Sequence, residues 1–115
     1  MVKNVEELTQ IVANAAGDKK AHDLLILDIR GLSVIADYFV LCNGQSNTQV
    51  QAIAEAVRQK MAQSGVPVKG VEGYDEAKWI LLDFGDIIVH VFRQEEREFY
   101  NLERLWGDAP QVNLG

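Results

Sequence analysis

The order of hydrophobic patterns along this chain predicts one α/β domain, a mixed sheet of about five strands carrying three amphipathic helices. Three observations carry that prediction. Two capping-box signatures, Asn4 with Glu7 and Ser46 with Gln49, each open a stretch of helical apolar spacing. Four short apolar runs, at 23–29, 38–43, 79–84 and 87–92, have the length and composition of strands. Finally, 115 residues with 48% hydrophobic and 24% charged side chains suit a single globular core and leave no room for a second folded unit.

In the first helix Val5, Leu8, Val12 and Ala15 recur at helical spacing, and Gly17 followed by Lys19 and Lys20 suits its end. Asp23 to Ile29, with Leu24, Leu25, Ile26 and Leu27 in succession, reads as a strand apolar on both faces and is expected inside the sheet. A turn at Gly31 leads to a second strand from Tyr38 to about Asn43. The second helix presents Val50, Ile53, Ala54, Val57 and Met61 as one stripe and stops at Gly65 and Pro67. Val66 to Val71 is a short strand candidate. Trp79–Phe84 and Ile87–Phe92 form an antiparallel hairpin joined by Gly85-Asp86. Phe99, Leu102, Leu105 and Trp106 mark a final amphipathic helix, after which Asp108-Ala109-Pro110 is expected to end ordered structure. The domain is therefore drawn over 1–110, with 111–115 as a short C-terminal tail.

Alternation separates the faces of the hairpin. Ile80, Leu82 and Phe84 share one side with no polar residue and are the expected core face, and Ile87, Val89 and Val91 continue it on the next strand. Trp79, Leu81 and Asp83, together with Ile88, His90 and Phe92, make a mixed opposite face. It reads either as an incompletely covered, aromatic-anchored surface for a partner or as a face covered by a helix.

Charge is distributed unevenly. Residues 1–71 hold seven acidic and seven basic side chains, whereas residues 72–115 hold ten acidic and four basic, so the net −6 lies wholly in the second segment. Such a surface repels phosphate backbones and attracts basic partners, which argues against direct, sequence-specific nucleic-acid binding; solubility alone is the other reading. The single Cys42 cannot pair within the chain. With no cationic, apolar leader pattern and no apolar run near the ~20 residues of a membrane span, a cytoplasmic, membrane-free protein is expected.

Catalytic chemistry is sparse. His22 and His90 lie on separate elements without metal-ligand spacing, so no metal or cofactor is expected. Cys42 sits in a strand pattern and reads as a packed small hydrophobe, and Ser33 and Ser46 lack a nucleophile elbow. Asp83-Phe84-Gly85 matches a kinase triplet but sits in a hairpin, and Gly70-Val71-Glu72-Gly73 places an acid where an RNA backbone would have to pass. Gly44-Gln45-Ser46 before a helix resembles the phosphate-receiving start of a nucleotidyltransferase site, yet no Asp-x-Asp pair is present to hold two cations. A non-enzyme fits better.

The segments Asp28-Ile29-Arg30-Gly31-Leu32-Ser33, Ala36-Asp37-Tyr38-Phe39, Gly44-Gln45-Ser46, Val71-Glu72-Gly73, the long string Trp79 to Phe92, and Arg97-Glu98-Phe99-Tyr100-Asn101-Leu102-Glu103-Arg104-Leu105-Trp106 resemble, without departure, the ribosomal silencing factor family, also called the Iojap family. The resemblance spans nearly the whole chain. It implies a nucleotidyltransferase-like fold without catalysis. The function it implies is a cytoplasmic translational repressor, often homodimeric, that binds ribosomal protein L-fourteen on the large ribosomal subunit and blocks joining of the small subunit when nutrients are short. It carries the Trp79 string over as partner-contacting; among its residues and their neighbours, Trp79, Leu81, Asp83, Glu72 and His90 are the candidate contacts. The alternative function is a nucleotide-binding, nucleotidyltransferase-like domain acting at the Gly44–Ser46 helix start.

Overall fold

A computed structural model describes residues 4–112. Its elements run α1 (Val5–Asp18), β1 (His22–Asp28), β2 (Tyr38–Gly44), α2 (Asn47–Gln63), β3 (Gly70–Glu72), β4 (Trp79–Asp83), β5 (Ile87–Arg93), α3 (Gln94–Tyr100) and α4 (Leu102–Leu105). Both predicted caps form: Asn4 Oδ1 accepts the Glu7 N–H at 2.8 Å, and Ser46 Oγ accepts that of Gln49 at 3.1 Å. Each bond satisfies an amide that the first helical turn leaves without a backbone partner.

The sheet order is β1-β2-β5-β4-β3, with β2 and β5 parallel and the other pairs antiparallel. The central strands β2 and β5 are buried on both faces, as parallel neighbours usually are. α1 and α2 cover one face, where Leu8, Val12, Val50, Ile53, Val57 and Met61 meet Val40, Ile80, Leu82, Val89 and Val91 in the main core. The core face of the hairpin is the predicted one. Its turn also follows the sequence: Phe84 N–H donates to Ile87 O at 2.9 Å, and the positive φ of 92° falls on Gly85, where a two-residue hairpin loop needs glycine.

Four expectations are corrected. β1 is an edge strand, not an interior one. Its apolar run is explained by burial on both faces, Ile26 in the main core and Leu27 in a second cluster, together with a partner on its outer edge. That partner is the segment after the last helix: Asp28 N–H donates to Pro110 O and Val112 N–H to Ile26 O, both at 2.9 Å. Order therefore continues past Pro110, and of the expected tail only 113–115 lie outside the described residues. The third strand is Gly70–Glu72 rather than 66–71, because Val66 N–H still closes α2 on Met61 O and Pro67 has no donor to pair. The final helix is split. Asn101 adopts the left-handed conformation (φ 49°, ψ 56°) and its N–H caps Arg97 O, ending α3 and reorienting α4.

Candidate functional site

The mixed face is one surface, laid out in three cross-strand rows. Trp79 lies opposite Phe92, which pairs with Asn43; Glu72, Leu81, His90, Leu41 and Leu25 form the middle row; Asp83, Ile88, Phe39 and Leu27 form the third. Cover across these rows is graded. Over β1, β2 and β5 a second cluster of Leu27, Ile29, Phe39, Leu41, Ile88 and Phe92 is closed by Leu102, Trp106 and Ala109. Toward β4 and β3 that cover stops, leaving Trp79, Leu81 and Asp83 part-exposed and Glu72 exposed. A helix and the segment after it thus cover one half of this face, and the other half is incompletely covered.

Trp79 is held from three sides. It stacks on Phe92 with ring centres 5.0 Å apart, meets Tyr100 at 4.8 Å, and donates from Nε1 to His90 Nδ1 at 3.1 Å. Stacked and tilted ring contacts of this kind, with a hydrogen bond beside them, favour a fixed ring geometry. His90 is only 4% exposed, so it belongs to the floor of the surface and not to its rim. Burial pulls its imidazole down to about 4, which keeps it neutral at ordinary pH. Asp83 is partly committed as well: its Oδ1 accepts the Gly85 N–H at 2.8 Å and shapes the hairpin turn. Glu72 alone of the predicted carboxylates makes no such internal bond among the described residues. Next to it Gly73 has a φ of 78°, and a Cβ there would collide with the Trp79 carbonyl oxygen. The β3–β4 connection therefore passes close over the backbone of Trp79, an approach open only to glycine.

Sequence reasoning missed the far wall of this surface. Phe99 (76% exposed) and Leu105 (73% exposed) were assigned to the buried side of a continuous helix, but the break at Asn101 turns them outward and brings Tyr100 onto Trp79. An asparagine within a helical pattern was the available signal, since it tolerates the left-handed conformation. Arg97 was also missed as a structural pin. Its guanidinium bonds Asn43 Oδ1 at 2.8 Å, Glu103 Oε1 at 3.1 Å and the Asp23 carbonyl, tying α3 and α4 to β1 and β2 beside a polar cleft of about 380 Å³.

The helix start at Gly44-Gln45-Ser46 is occupied by its own side chains. Gln49 Oε1 takes the Gln45 N–H at 2.7 Å, Ser46 Oγ takes that of Gln49, and the Gln49 amide goes on to bond Lys20 O at 3.0 Å. Those amides are consumed as structure. Cys42 is fully buried in β2, and burial pushes its thiol up to about 12, the behaviour of a packed small hydrophobe. Among the described residues there is no cluster of three or more potential metal ligands, and no helix is long and apolar enough to cross a membrane.

Comparison with known proteins places this architecture. The family model described as "Ribosomal silencing factor during starvation" matches residues 2–115. The ribosomal silencing factor of Bacillus subtilis is 50% identical over 111 residues, covering 96% of this chain and 94% of that protein. The chloroplastic Iojap protein of Zea mays is 35% identical over 103 residues, covering 90% of this chain and 45% of its own. Among solved structures, a crystal structure of a protein from Bacillus halodurans superposes with a TM-score of 0.85 at 45% identity, covering 95% of this chain and 99% of that one. One from Chromobacterium violaceum gives 0.90 at 34% identity, covering 91% and 88%. With a family match along almost its full length and relatives of this identity, the chain belongs to the ribosomal silencing factor family.

Proposed function

We propose that this protein is a non-enzymatic, cytoplasmic translational repressor that binds the large ribosomal subunit through ribosomal protein L-fourteen and, when nutrients are short, sterically prevents the small subunit from joining. The observation that carries this reading is the open half of the sheet, where Trp79 and Leu81 lie beside the Glu72 and Asp83 carboxylates within the segment that holds the whole −6 net charge. Apolar anchors beside two carboxylates suit a partner with an apolar contact set in a basic surround, which describes a protein whose neighbours are RNA phosphates. Trp79, Leu81, Glu72 and Asp83 are the proposed contacts, and His90 supports them from beneath. A homodimer is part of the proposal, readable as a sedimentation equilibrium mass of twice 12.8 kDa. A nucleotide at the Gly44–Ser46 helix start is disfavoured, since Gln49 already uses its amide.

The test is co-sedimentation. The protein should pellet with isolated large subunits, and when added before small subunits it should lower the joined fraction in a saturable way that dilution reverses. Calorimetry with purified L-fourteen should show direct binding. Glu72→Gln should slow association at low salt more than it speeds dissociation, an effect that fades toward physiological ionic strength. Pelleting chiefly with small subunits, or an unchanged joined fraction at saturation, would overturn the reading.

A further inference from the structure

His90 is an unexpected occupant of its position. It lies in the middle row of the mixed face between Leu81 and Leu41, with the ring of Phe39 edge-on at 4.8 Å and that of Phe92 stacked at 6.0 Å. Because Nδ1 accepts the Trp79 indole N–H, it is the unprotonated nitrogen, and the ring hydrogen sits on Nε2. Nε2 is buried and has no hydrogen-bond partner. An unpaired buried donor is costly, and a phenylalanine or leucine would fill the same apolar surroundings without that cost. What histidine adds here is one acceptor, aimed at Trp79.

The consequence appears at the surface. An indole has a single polar atom, and on a partly exposed tryptophan that N–H could point outward and demand an acceptor from whatever docks there. In this protein it is directed inward to His90, while Phe92 and Tyr100 flank the ring. We infer that His90 is a positioning residue for the docking face: by accepting the Trp79 N–H it fixes the indole against Phe92 and presents it to a protein partner as an apolar wall without a hydrogen-bond donor. The inference rests on the reading of the Trp79 face as the docking surface, and it specifies the partner side as an apolar contact with no acceptor opposite Trp79 Nε1.

The decisive measurement on the unmodified protein is nitrogen-15 NMR. A scalar coupling across the hydrogen bond between Trp79 Nε1 and His90 Nδ1, with His90 in the Nε2-protonated form, is expected; an Nδ1-protonated His90, or an indole N–H in rapid exchange with water, would overturn the inference. These readouts require no partner, so they are separable from the docking reading, which fails instead if the unmodified protein shows no affinity for large subunits. The functional arm is a double-mutant cycle read as large-subunit binding. His90→Phe, which keeps a ring and removes the acceptor, should weaken binding about fivefold beside Trp79 and cause no further loss beside Trp79→Phe, which has no N–H to hold. His90→Gln, which retains an acceptor, should stay within about twofold of the original. An equal loss from His90→Phe in both backgrounds would overturn the positioning role. Should His90→Phe not fold, the coupling and tautomer in the unmodified protein still decide.

Discussion

The two faces of the sheet are built from different chemistry although they share the same strands. On the helix-covered face the strands offer mainly aliphatic side chains, and two long helices seal them. The opposite face carries rings, Asn43 and His90, and it is closed by two short helices and an extended segment over only part of its width. Aliphatic packing against helices is cooperative and non-specific in direction, whereas the aromatic face is held by particular bonds, Trp79 to His90 and Arg97 to Asn43. The first face therefore supplies stability, and the second combines part of that stability with a prepared surface.

Substitutions that treat the faces differently sharpen this division. The largest effect is expected at Leu82, 1% exposed beneath the helices: Leu82→Ala should cost ~4 kcal/mol in denaturant unfolding, leaving large-subunit affinity per folded molecule unchanged. The pH response should come from the other face. Folded His90 titrates at about 4 while an unfolded histidine takes up its proton below roughly 6.5, so the stability due to keeping it neutral is complete above that range. It is lost as pH falls toward 4, up to about 3 kcal/mol, and His90→Gln should flatten that part of the stability profile. Carboxylates common to both proteins cancel in the comparison.

Trp79→Ala comes next and tests both roles of its face. Because the ring packs on Phe92 and Tyr100, the truncation should cost about 2 kcal/mol of stability, less than Leu82→Ala, and should also weaken large-subunit binding roughly 30-fold. Unfolding with undiminished binding by the folded fraction would move the docking surface elsewhere. The smallest effect is expected at Val112→Pro, which removes the N–H that bonds Ile26 O on the outer edge of β1: about 1 kcal/mol by thermal unfolding, with amide exchange rising along β1.

Local features of the fold were legible residue by residue. Asn4 and Ser46 marked helix starts because a side-chain oxygen there satisfies an amide three residues on, whatever lies elsewhere in the chain. Gly85 marked the hairpin for an equally local reason, its positive φ. Two-residue alternation also divided Ile80 and Leu82 from Trp79 and Leu81, and so placed four of the candidate contacts, Trp79, Leu81, Asp83 and His90, on one face; pairing across β3 added Glu72.

Sequence by itself thus determined the first two helices, four of the five strands, the two faces of each hairpin strand and, through resemblance, the family. Tertiary structure decided how each face is covered. Alternation states which side a residue faces, but coverage depends on segments remote in sequence: Trp106 and Ala109 over Phe39 and Leu27, and Pro110 to Val112 along β1. That is why β1, with four apolar residues in succession, proved to be an edge strand, and why Phe99 and Leu105 turned outward once Asn101 broke the helix. It is also why His90, read from its strand as a candidate partner contact on the mixed face, lies beneath Trp79 as its acceptor: a hydrogen bond between neighbouring strands depends on register and ring orientation, which a one-dimensional pattern does not encode.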